Sequence, residues 1–258
     1  MKLLIQIIAV ALTFFVALTA IASERVEQEY VIKDVLEVQA SSGVRLERIQ
    51  GETESLKLKT SAELLKHVHV DLTDGKLTLT VEKKFSDPFS WMSKDDVVFS
   101  LAIKNLQLIG LSGGVDAKVG KITLPALTIK SSGGADSIFT NLNVKDLSIE
   151  ASGGSDIKVD TLSSETVRLQ ISGGSDFNIR QKGTTNSLAI NAGGGSNCNA
   201  KNLDSFNADV IAGGASDVEV NASKTLKVNA GGASDIDYYG NPQITSHING
   251  ASDLTAHK

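Results

Sequence analysis

Hydrophobic and polar residues alternate along most of the chain, around a glycine-rich turn that returns about every twenty residues. One copy of the turn, SGGSD, occupies residues 152–156, and an identical copy occupies residues 172–176. The acidic position of the turn recurs eight times, at steps of 20, 20, 20, 21, 20, 18 and 18 residues. A fixed period of this length indicates a repeat architecture rather than one specialised loop. The eight positions are Asp116, Asp136, Asp156, Asp176, Asn197, Asp217, Asp235 and Asp253.

The residues on either side of the turn repeat in the same register. Apolar residues fill nearly every copy of the positions nine and seven residues before the acidic residue, and one and three residues after it. In the third copy these residues are Leu147, Ile149, Ile157 and Val159, with polar residues between them. Alternation with a period of two on both sides of a turn predicts strand, turn and strand in each copy.

Stacked coils explain this pattern better than an open meander of hairpins, which is the alternative. In a β-solenoid every coil lies on the previous one, so equivalent side chains form ladders and each coil needs a small residue at the same corner. We therefore predict an all-β fold, a single-stranded and right-handed β-helix of about eight coils of 18–21 residues with a strand-rich N-terminal cap. The predicted corner glycines, three residues before each acidic position, are Gly113, Gly133, Gly153, Gly173, Gly194, Gly214, Gly232 and Gly250.

The sequence resembles an exported bacterial family called putative auto-transporter adhesin, head GIN domain. The repeated GG-[ASV]-[DN] turns carry the resemblance, together with VIKDVLEVQASSGVRLERIQGE and LLKHVHVDLTDGKLTLTV before them, and it covers residues 30–240 or thereabouts. The resemblance implies a β-helical superhelix related in shape to pectin lyases but without their catalytic residues. It also implies a role in cell adhesion and no enzymatic activity.

The segment before residue 107 is strand-rich but less regular, and we expect it to close one end of the solenoid. Asp74 and Gly75, followed by KLTLTV, predict a hairpin there. A cap would hide strand edges that otherwise promote self-association. The predicted division is therefore a cap with irregular first coils at residues 23–106 and regular coils at residues 107–258. The C-terminal ASDLTAHK shows no comparable cap and is either a frayed end or an assembly surface.

A cluster of large apolar residues lies between the strands of the cap, in residues 83–96. It is either a plug for the open end of the solenoid, which we prefer, or an exposed interaction loop. The cluster consists of Phe85, Phe89, Trp91 and Met92.

The first 22 residues have the features of a signal peptide. Lys2 precedes an apolar run, and the small residues Ala20 and Ala22 suit cleavage after residue 22. A retained membrane anchor is the alternative. Removing 22 of 258 residues leaves 236, with 24 basic and 30 acidic side chains and a net charge of −6. This charge argues against nucleic acid as the main partner, and the protein is expected at the periplasm, the cell surface or outside the cell.

The column of aspartates allows two interpretations. Stacked carboxylates would suit a ladder of cations, which makes Asp116, Asp136, Asp156, Asp176, Asp217, Asp235 and Asp253 weak candidates for metal ligands. The preferred interpretation is structural, with each Asp or Asn side chain accepting hydrogen bonds from N–H groups of the turn. We expect no cofactor and no metal.

Two further patterns bear on catalysis. A glycosidase needs two carboxylates in different surroundings, whereas the repeats give these aspartates similar ones. Cys198, the only cysteine, shares its column with Phe177 and Val218 and is expected to be a buried, unreactive thiol. The sequence therefore favours a protein without catalytic activity.

A rigid rod with flat rows of polar side chains suits an extended glycan or protein ligand. The bends at residues 160–166 and 180–187 vary between copies, as loops that determine specificity often do. We expect an exported binding protein or adhesin at the cell envelope. The alternatives are a polysaccharide-active β-helix enzyme and a purely structural envelope protein, and the rod could form a homo-oligomer end to end or side by side.

Overall fold

A computed structural model describes residues 25–47, 50–82 and 97–257. The predicted signal peptide and the aromatic cluster of residues 83–96 lie outside these ranges. Within them the chain forms strands and one short helix, α1. The elements in chain order are β1 Arg25–Tyr30, β2 Glu37–Ala40, β3 Arg45–Glu47, β4 Ser55–Ser61, α1 Ala62–Leu65, β5 Val68–Thr73, β6 Lys76–Val81, β7 Val98–Ala102, β8 Leu108–Ser112, β9 Asp116–Ser132, β10 Asp136–Ser152, β11 Asp156–Ile171, β12 Asp176–Ile179, β13 Gly183–Ala192, β14 Asn197–Ala212, β15 Asp217–Ala230, β16 Asp235–Tyr239, β17 Gln243–Ile248 and β18 Asp253–His257.

Most regular coils are one long strand that bends twice before it reaches the glycine corner, while two coils are divided, into β12 and β13 and into β16 and β17. In β10 buried and more exposed residues alternate, but buried neighbours are three residues apart from Phe139 to Leu142 and from Val144 to Leu147. These two interruptions mark the bends, because an unbent strand keeps a period of two. We call the resulting segments the first, second and third sides; in β10 they are residues 136–140, 141–145 and 146–152.

The coils stack in parallel and in register. Asp136 in β10 aligns with Asp116 in β9 and with Asp156 in β11, and the same alignment continues to Asp253 in β18. Hairpins would have paired antiparallel, so the meander alternative is wrong. The predicted β-solenoid of about eight coils is confirmed, whereas its right-handedness stays a prediction.

The shorter period near the C-terminus is accommodated on the second side. Between β14 and β15 the register shifts at Ala200/Asp204 and again at Ser205/Asn207. On either side of this region Asn197 aligns with Asp217, and Val210 with Val228, as in the other coils. The first and third sides therefore keep their ladders while the second side loses residues.

An additional corner stands at the N-terminal end of the stack, formed by residues from much earlier in the chain. Strand β2 lies between β6 and β8, and strand β3 lies between β7 and β9. Arg45 consequently aligns with Asp116, and Ser42, with a φ of 66°, takes the place of the corner glycine. Residues 37–47 are thus a coil placed out of sequence order, which the repeat analysis did not identify.

Antiparallel strands and α1 complete this end of the molecule. Strand β4 pairs with β1 and with β7, and β5 pairs with β6 through the predicted hairpin at Asp74 and Gly75. Leu64 and Leu65 of α1 pack partly buried against the core. The strand-rich cap is as predicted, while its limits at residues 23 and 106 stay a prediction.

The interior is one continuous apolar core. Its largest fully buried side chains include Phe99, Phe139 and Phe177, from different levels of the stack. Because Cys198 is the only cysteine, no internal disulfide can add stability. The folded state therefore depends on apolar burial and on backbone pairing between coils.

The glycine corners are held together by backbone hydrogen bonds between coils. All eight corner glycines have a positive φ, from 61° to 84°. In the later coils the carbonyl of one corner accepts a hydrogen bond from the next, as in Ala215 N to Gly194 O at 2.7 Å. A Cβ on Gly214 would lie 2.6 Å from the same carbonyl oxygen. The corner therefore excludes a side chain both by its backbone angle and by the neighbouring coil.

We predict that Gly214→Ala lowers the free energy of unfolding by about 2 kcal/mol, because the new Cβ is strained at positive φ and meets the backbone of the preceding corner at Gly194. Gly213→Ala is the matched control, since a Cβ there has open space around it. It should change stability by less than about 0.5 kcal/mol. Urea denaturation of both variants measures the difference, and equal stabilities would mean that the corner does not require glycine.

Candidate functional site

The acidic column runs along the outer edge of the first side, directly after the glycine corner. Its members occupy equivalent positions in consecutive coils, about 4.8 Å apart along the stack as expected for neighbouring strands. They are largely exposed; the side chain of Asp116 is 59% accessible. The regular coils thus bring together all the sequence-predicted aspartates, in a line rather than in a cluster.

Neighbouring charges and burial affect members of this column. The pKa values of Asp136 and Asp176 are raised, mainly by desolvation and further by the carboxylate of Asp156 between them. Lys158 lies 3.5 Å from Asp156 and lowers the two pKa values in part. At the N-terminal end of the column Arg45 forms an ion pair of 3.9 Å with Asp116. Mutual repulsion along the column is therefore offset partly by basic neighbours and partly by solvent.

The aspartates do not accept the turn N–H groups, so the preferred structural interpretation was wrong. Among the described residues, the side-chain acceptors for these groups are inward serines of the next coil. The Ser175 hydroxyl accepts from Gly154 N at 3.2 Å and from Ser155 N at 3.3 Å. The turns also bond directly to the backbone of the coil before. With these donors satisfied inside the corner, the aspartates are left free to face solvent.

The serines form an internal column of their own, one residue before the acidic position. Ser155 is fully buried, and its hydroxyl donates to Ser131 O at 3.2 Å. Sequence analysis did not identify this column, although a small polar residue repeated beside a turn was a usable signal. The buried serines of the column are Ser155, Ser175, Ser196, Ser216, Ser234 and Ser252.

The described part of the chain contains no group of three or more His, Cys, Asp or Glu side chains arranged to hold a metal ion. The acidic column supplies one carboxylate per coil, and hard cations such as Ca²⁺ take six to eight oxygen ligands. The geometry therefore does not favour the cation ladder.

Cys198 lies in the core, where its column places it between Phe177 and Val218. The thiol is fully buried, and burial raises its pKa to about 12. A thiol that stays protonated at neutral pH is a poor nucleophile. Its burial agrees with the prediction from its column.

A polar network occupies the C-terminal part of the first side. Glu219 accepts hydrogen bonds from Asn199 at 2.8 Å and from Lys201 at 2.7 Å, and Tyr239 donates to it at 3.3 Å. His257 stacks on the ring of Tyr239. These contacts join side chains of consecutive coils. The sequence did not predict them, because they depend on the exact register between the coils. The network stabilises the last coils, which carry few apolar contacts.

The charges of the third side are balanced. Its charged side chains in the regular coils are three basic and three acidic residues, of which Lys130 and Glu150 form an ion pair of 2.9 Å. Two large apolar side chains, Phe206 at the second bend and Ile211 on the third side, are each 49% exposed. The six charged residues are Lys130, Asp146, Glu150, Arg168, Asp209 and Lys227. This side can approach a large surface without a net electrostatic cost.

The only helix in the described ranges, α1, has four residues and is too short to cross a bilayer. The proposed interaction loop, Phe85, Phe89, Trp91 and Met92, lies outside the described residues and stays a prediction.

Comparisons with known proteins agree on family and fold. A family model described as "Putative auto-transporter adhesin, head GIN domain" matches residues 36–242. A putative adhesin from Parabacteroides merdae superposes with a TM-score of 0.78 and 16% identity, over 91% of this chain and 97% of that one. A putative lipid binding protein from Parabacteroides distasonis gives 0.70 and 17%, over 91% and 97%. A putative adhesin from Bacteroides fragilis gives 0.66 and 18%, with the same coverage.

Identities below 20% mean that these structures establish the shared fold and nothing further. No curated protein matches the chain.

We predict that Asp136→Asn raises the free energy of unfolding at pH 7 by no more than about 0.5 kcal/mol, since solvent screens the repulsion that it removes. A carboxyl whose pKa is raised by folding costs stability when it is ionised, so the gain should disappear near pH 3. Asp116→Asn is the control, because it also removes the partner of Arg45 and should bring no gain. A loss above about 1 kcal/mol for Asp136→Asn at pH 7 would instead assign that carboxylate a structural bond.

We also predict an alkaline loss of stability that depends on Cys198. Burial raises the pKa of its thiol from about 9, its ordinary value, to about 12 in the folded protein. The stability is complete below pH 9 and decreases through this window by at most about 1.4 kcal/mol per pH unit. Urea denaturation between pH 8 and 11 should show a shallower decrease for Cys198→Ala than for the wild type. Identical slopes, or rapid labelling of the native thiol at neutral pH, would contradict the buried position.

Proposed function

Because the chain belongs to the putative auto-transporter adhesin, head GIN domain family, we propose that it is an exported, non-catalytic β-solenoid that binds an extended glycan or protein ligand at the cell envelope. One observation carries the proposal. The parallel register is continuous from β9 to β18 on the first side, and it repeats equivalent outward side chains at every level. A long ligand with its own repeat can make the same contact many times on such a surface.

The stack also favours binding because it is rigid. Outward side chains are held by contacts between coils, such as Arg180 with Asp160 at 2.5 Å and Lys145 with Glu165 at 3.5 Å. Side chains that are ordered before the ligand arrives lose less entropy on binding. Several weak, preorganised contacts then add up to useful affinity along one ligand.

The carboxylates of the acidic column have similar surroundings, and this similarity supports a role without catalysis. The two aspartates with raised pKa values, Asp136 and Asp176, owe the shift mainly to desolvation and then to neighbouring aspartates of the column, Asp156 for both and Asp116 in addition for Asp136. A glycosidase acid instead needs surroundings that its partner carboxylate lacks. Cys198 is inaccessible. None of the described residues therefore supports the polysaccharide-cleaving alternative over the binding role.

Two of the structural neighbours described above are called adhesins and one is called lipid binding. These words apply to those proteins, and both describe binding. Adhesion also agrees with the predicted signal peptide, since an adhesin acts outside the cytoplasm. Lipid is therefore one class of ligand that the experiment below includes.

We predict that the purified protein binds at least one extended glycan or envelope or matrix protein on arrays, and that affinity increases with ligand length. The repeated contacts should make any one aspartate dispensable, so Asp156→Asn should change affinity by less than about twofold. Reducing-end assays should detect no cleavage of the bound polysaccharide.

Three results are informative beyond simple binding. Cleavage that a single Asp→Asn substitution abolishes would make that residue catalytic and overturn the proposal. Binding to phospholipid vesicles without any binding to glycan or protein would also overturn it, in favour of a lipid ligand. Binding of nothing in the three panels would favour the purely structural alternative.

A further inference from the structure

A groove lies on the third side where the irregular N-terminal segment meets the first regular coils. Residues 105–107 approach β9 there before β8 begins, and Gln107 O accepts a hydrogen bond from Thr128 N at 2.9 Å. The connection and the second bend of β9 form the walls of a depression of about 480 Å³. This volume lies within the range of pockets that bind small ligands.

The floor of the groove is apolar. Leu106 and Leu127 are buried beneath it, each only 2% exposed. Leu124 is half-buried and Pro125 is exposed, so both present carbon atoms to a ligand in the groove. The floor therefore offers a shallow apolar surface rather than a deep hole for a large side chain.

Two side chains of opposite charge lie at the rim of the groove and do not form an ion pair with each other. Asp146 lies in β10 and Arg168 lies in the adjacent strand β11. Asp146 is aligned with Thr166, and Arg168 follows Thr166 by two residues. Neither side chain makes an ion pair or a hydrogen bond with any residue that the structure describes. Some aligned opposite charges of this side do pair, as Lys130 does with Glu150, whereas the aligned Asp209 and Lys227 form no ion pair with each other. The rim thus keeps one acceptor and one donor available for a ligand.

The ligand must satisfy both charges when it displaces water from the groove, since a buried unpaired charge is costly. Hydroxyl groups can do this, because each can donate to the carboxylate of Asp146 and accept from the guanidinium of Arg168. A pyranose ring combines such hydroxyls with carbon–hydrogen faces that suit Leu124 and Pro125. The rim has no net charge, so a neutral sugar fits it without adding charge, whereas the carboxylate of an acidic sugar would leave the occupied groove with a net negative charge.

A peptide fits the groove less well. Extended peptides usually add a strand to a free sheet edge or insert side chains into deep pockets. The third side of β9 is already paired with β8 and β10, so it has no free edge. The floor is closed by the leucines named above.

We propose that this groove is a subsite for one neutral hexopyranose unit of a glycan. The inference rests on the proposed binding function and assigns it a ligand class and a position. The regular sides then provide secondary contacts, and the groove recognises one unit of the chain.

The test uses calorimetric titration of the purified protein with neutral hexasaccharides: cellohexaose, laminarihexaose, maltohexaose and mannohexaose. A galacturonic acid hexamer and an unstructured hexapeptide extend the panel. At least one neutral hexasaccharide should bind, and Asp146→Asn and Arg168→Gln should each weaken it about tenfold or more, as expected for lost hydrogen bonds to charged groups. Thermal melts check that both variants fold.

Matched controls come from the same side of the stack. Asp209 and Lys227 are exposed opposite charges in adjacent, aligned positions outside the groove. Asp209→Asn and Lys227→Gln should leave affinity within about twofold. If all four variants bind a neutral hexasaccharide as the wild type does, the subsite is wrong while the binding function stands.

The remaining outcomes separate the two proposals in the same way. Binding of only the galacturonic acid hexamer or only the peptide would overturn the neutral-sugar assignment but keep the extended-ligand function. Binding of no probe, combined with no binding on glycan and protein arrays, would overturn both.

Discussion

The hydrogen bond from one corner to the next is the constraint on which the architecture depends. When Ala215 N donates to Gly194 O, the carbonyl oxygen occupies the space that a Cβ of Gly214 would need. The later coils must therefore turn at the same place with a glycine and at a positive φ. Once the corner is fixed, the residues on both sides of it can pair only in one register, since a slip by one residue would turn the apolar side chains outward.

This register determines which charged side chains become neighbours and where a shorter coil can lose residues. It places acidic side chains of consecutive coils beside one another, which the pKa values of Asp136 and Asp176 reflect. The arrangement is tolerated because the carboxylates face solvent and the turn donors are satisfied by inward serines such as Ser175. The first and third sides adjoin the corner, so a coil that loses residues must lose them on the second side, where β14 and β15 change register.

Periodicity was sufficient to predict the regular coils, and the column of Cys198 was sufficient to predict its burial, because stacking makes equivalent positions share one environment. It was not sufficient for the additional corner at Ser42, where serine replaces glycine and the coil lies out of sequence order. Such pairing depends on which distant segment completes the end of the core. The role of the aspartates was also misassigned, because a repeated polar residue at a turn does not reveal whether it points inward or outward. The groove needed the spatial junction between residues 105–107 and β9, which no local pattern encodes.

A repetitive scaffold is poorly suited to distinguishing one ligand from another. Equivalent coils present equivalent side chains, so the regular sides can add affinity along a ligand but offer little to define where the ligand begins. Discrimination requires a place where the repetition breaks, and here it breaks where the out-of-order N-terminal segment joins the first regular coil. Asp146 and Arg168 belong to regular coils but face a groove that exists only at this junction. The junction between the N-terminal segment and the regular coils thus creates a position on the third side at which a glycan unit can be recognised individually.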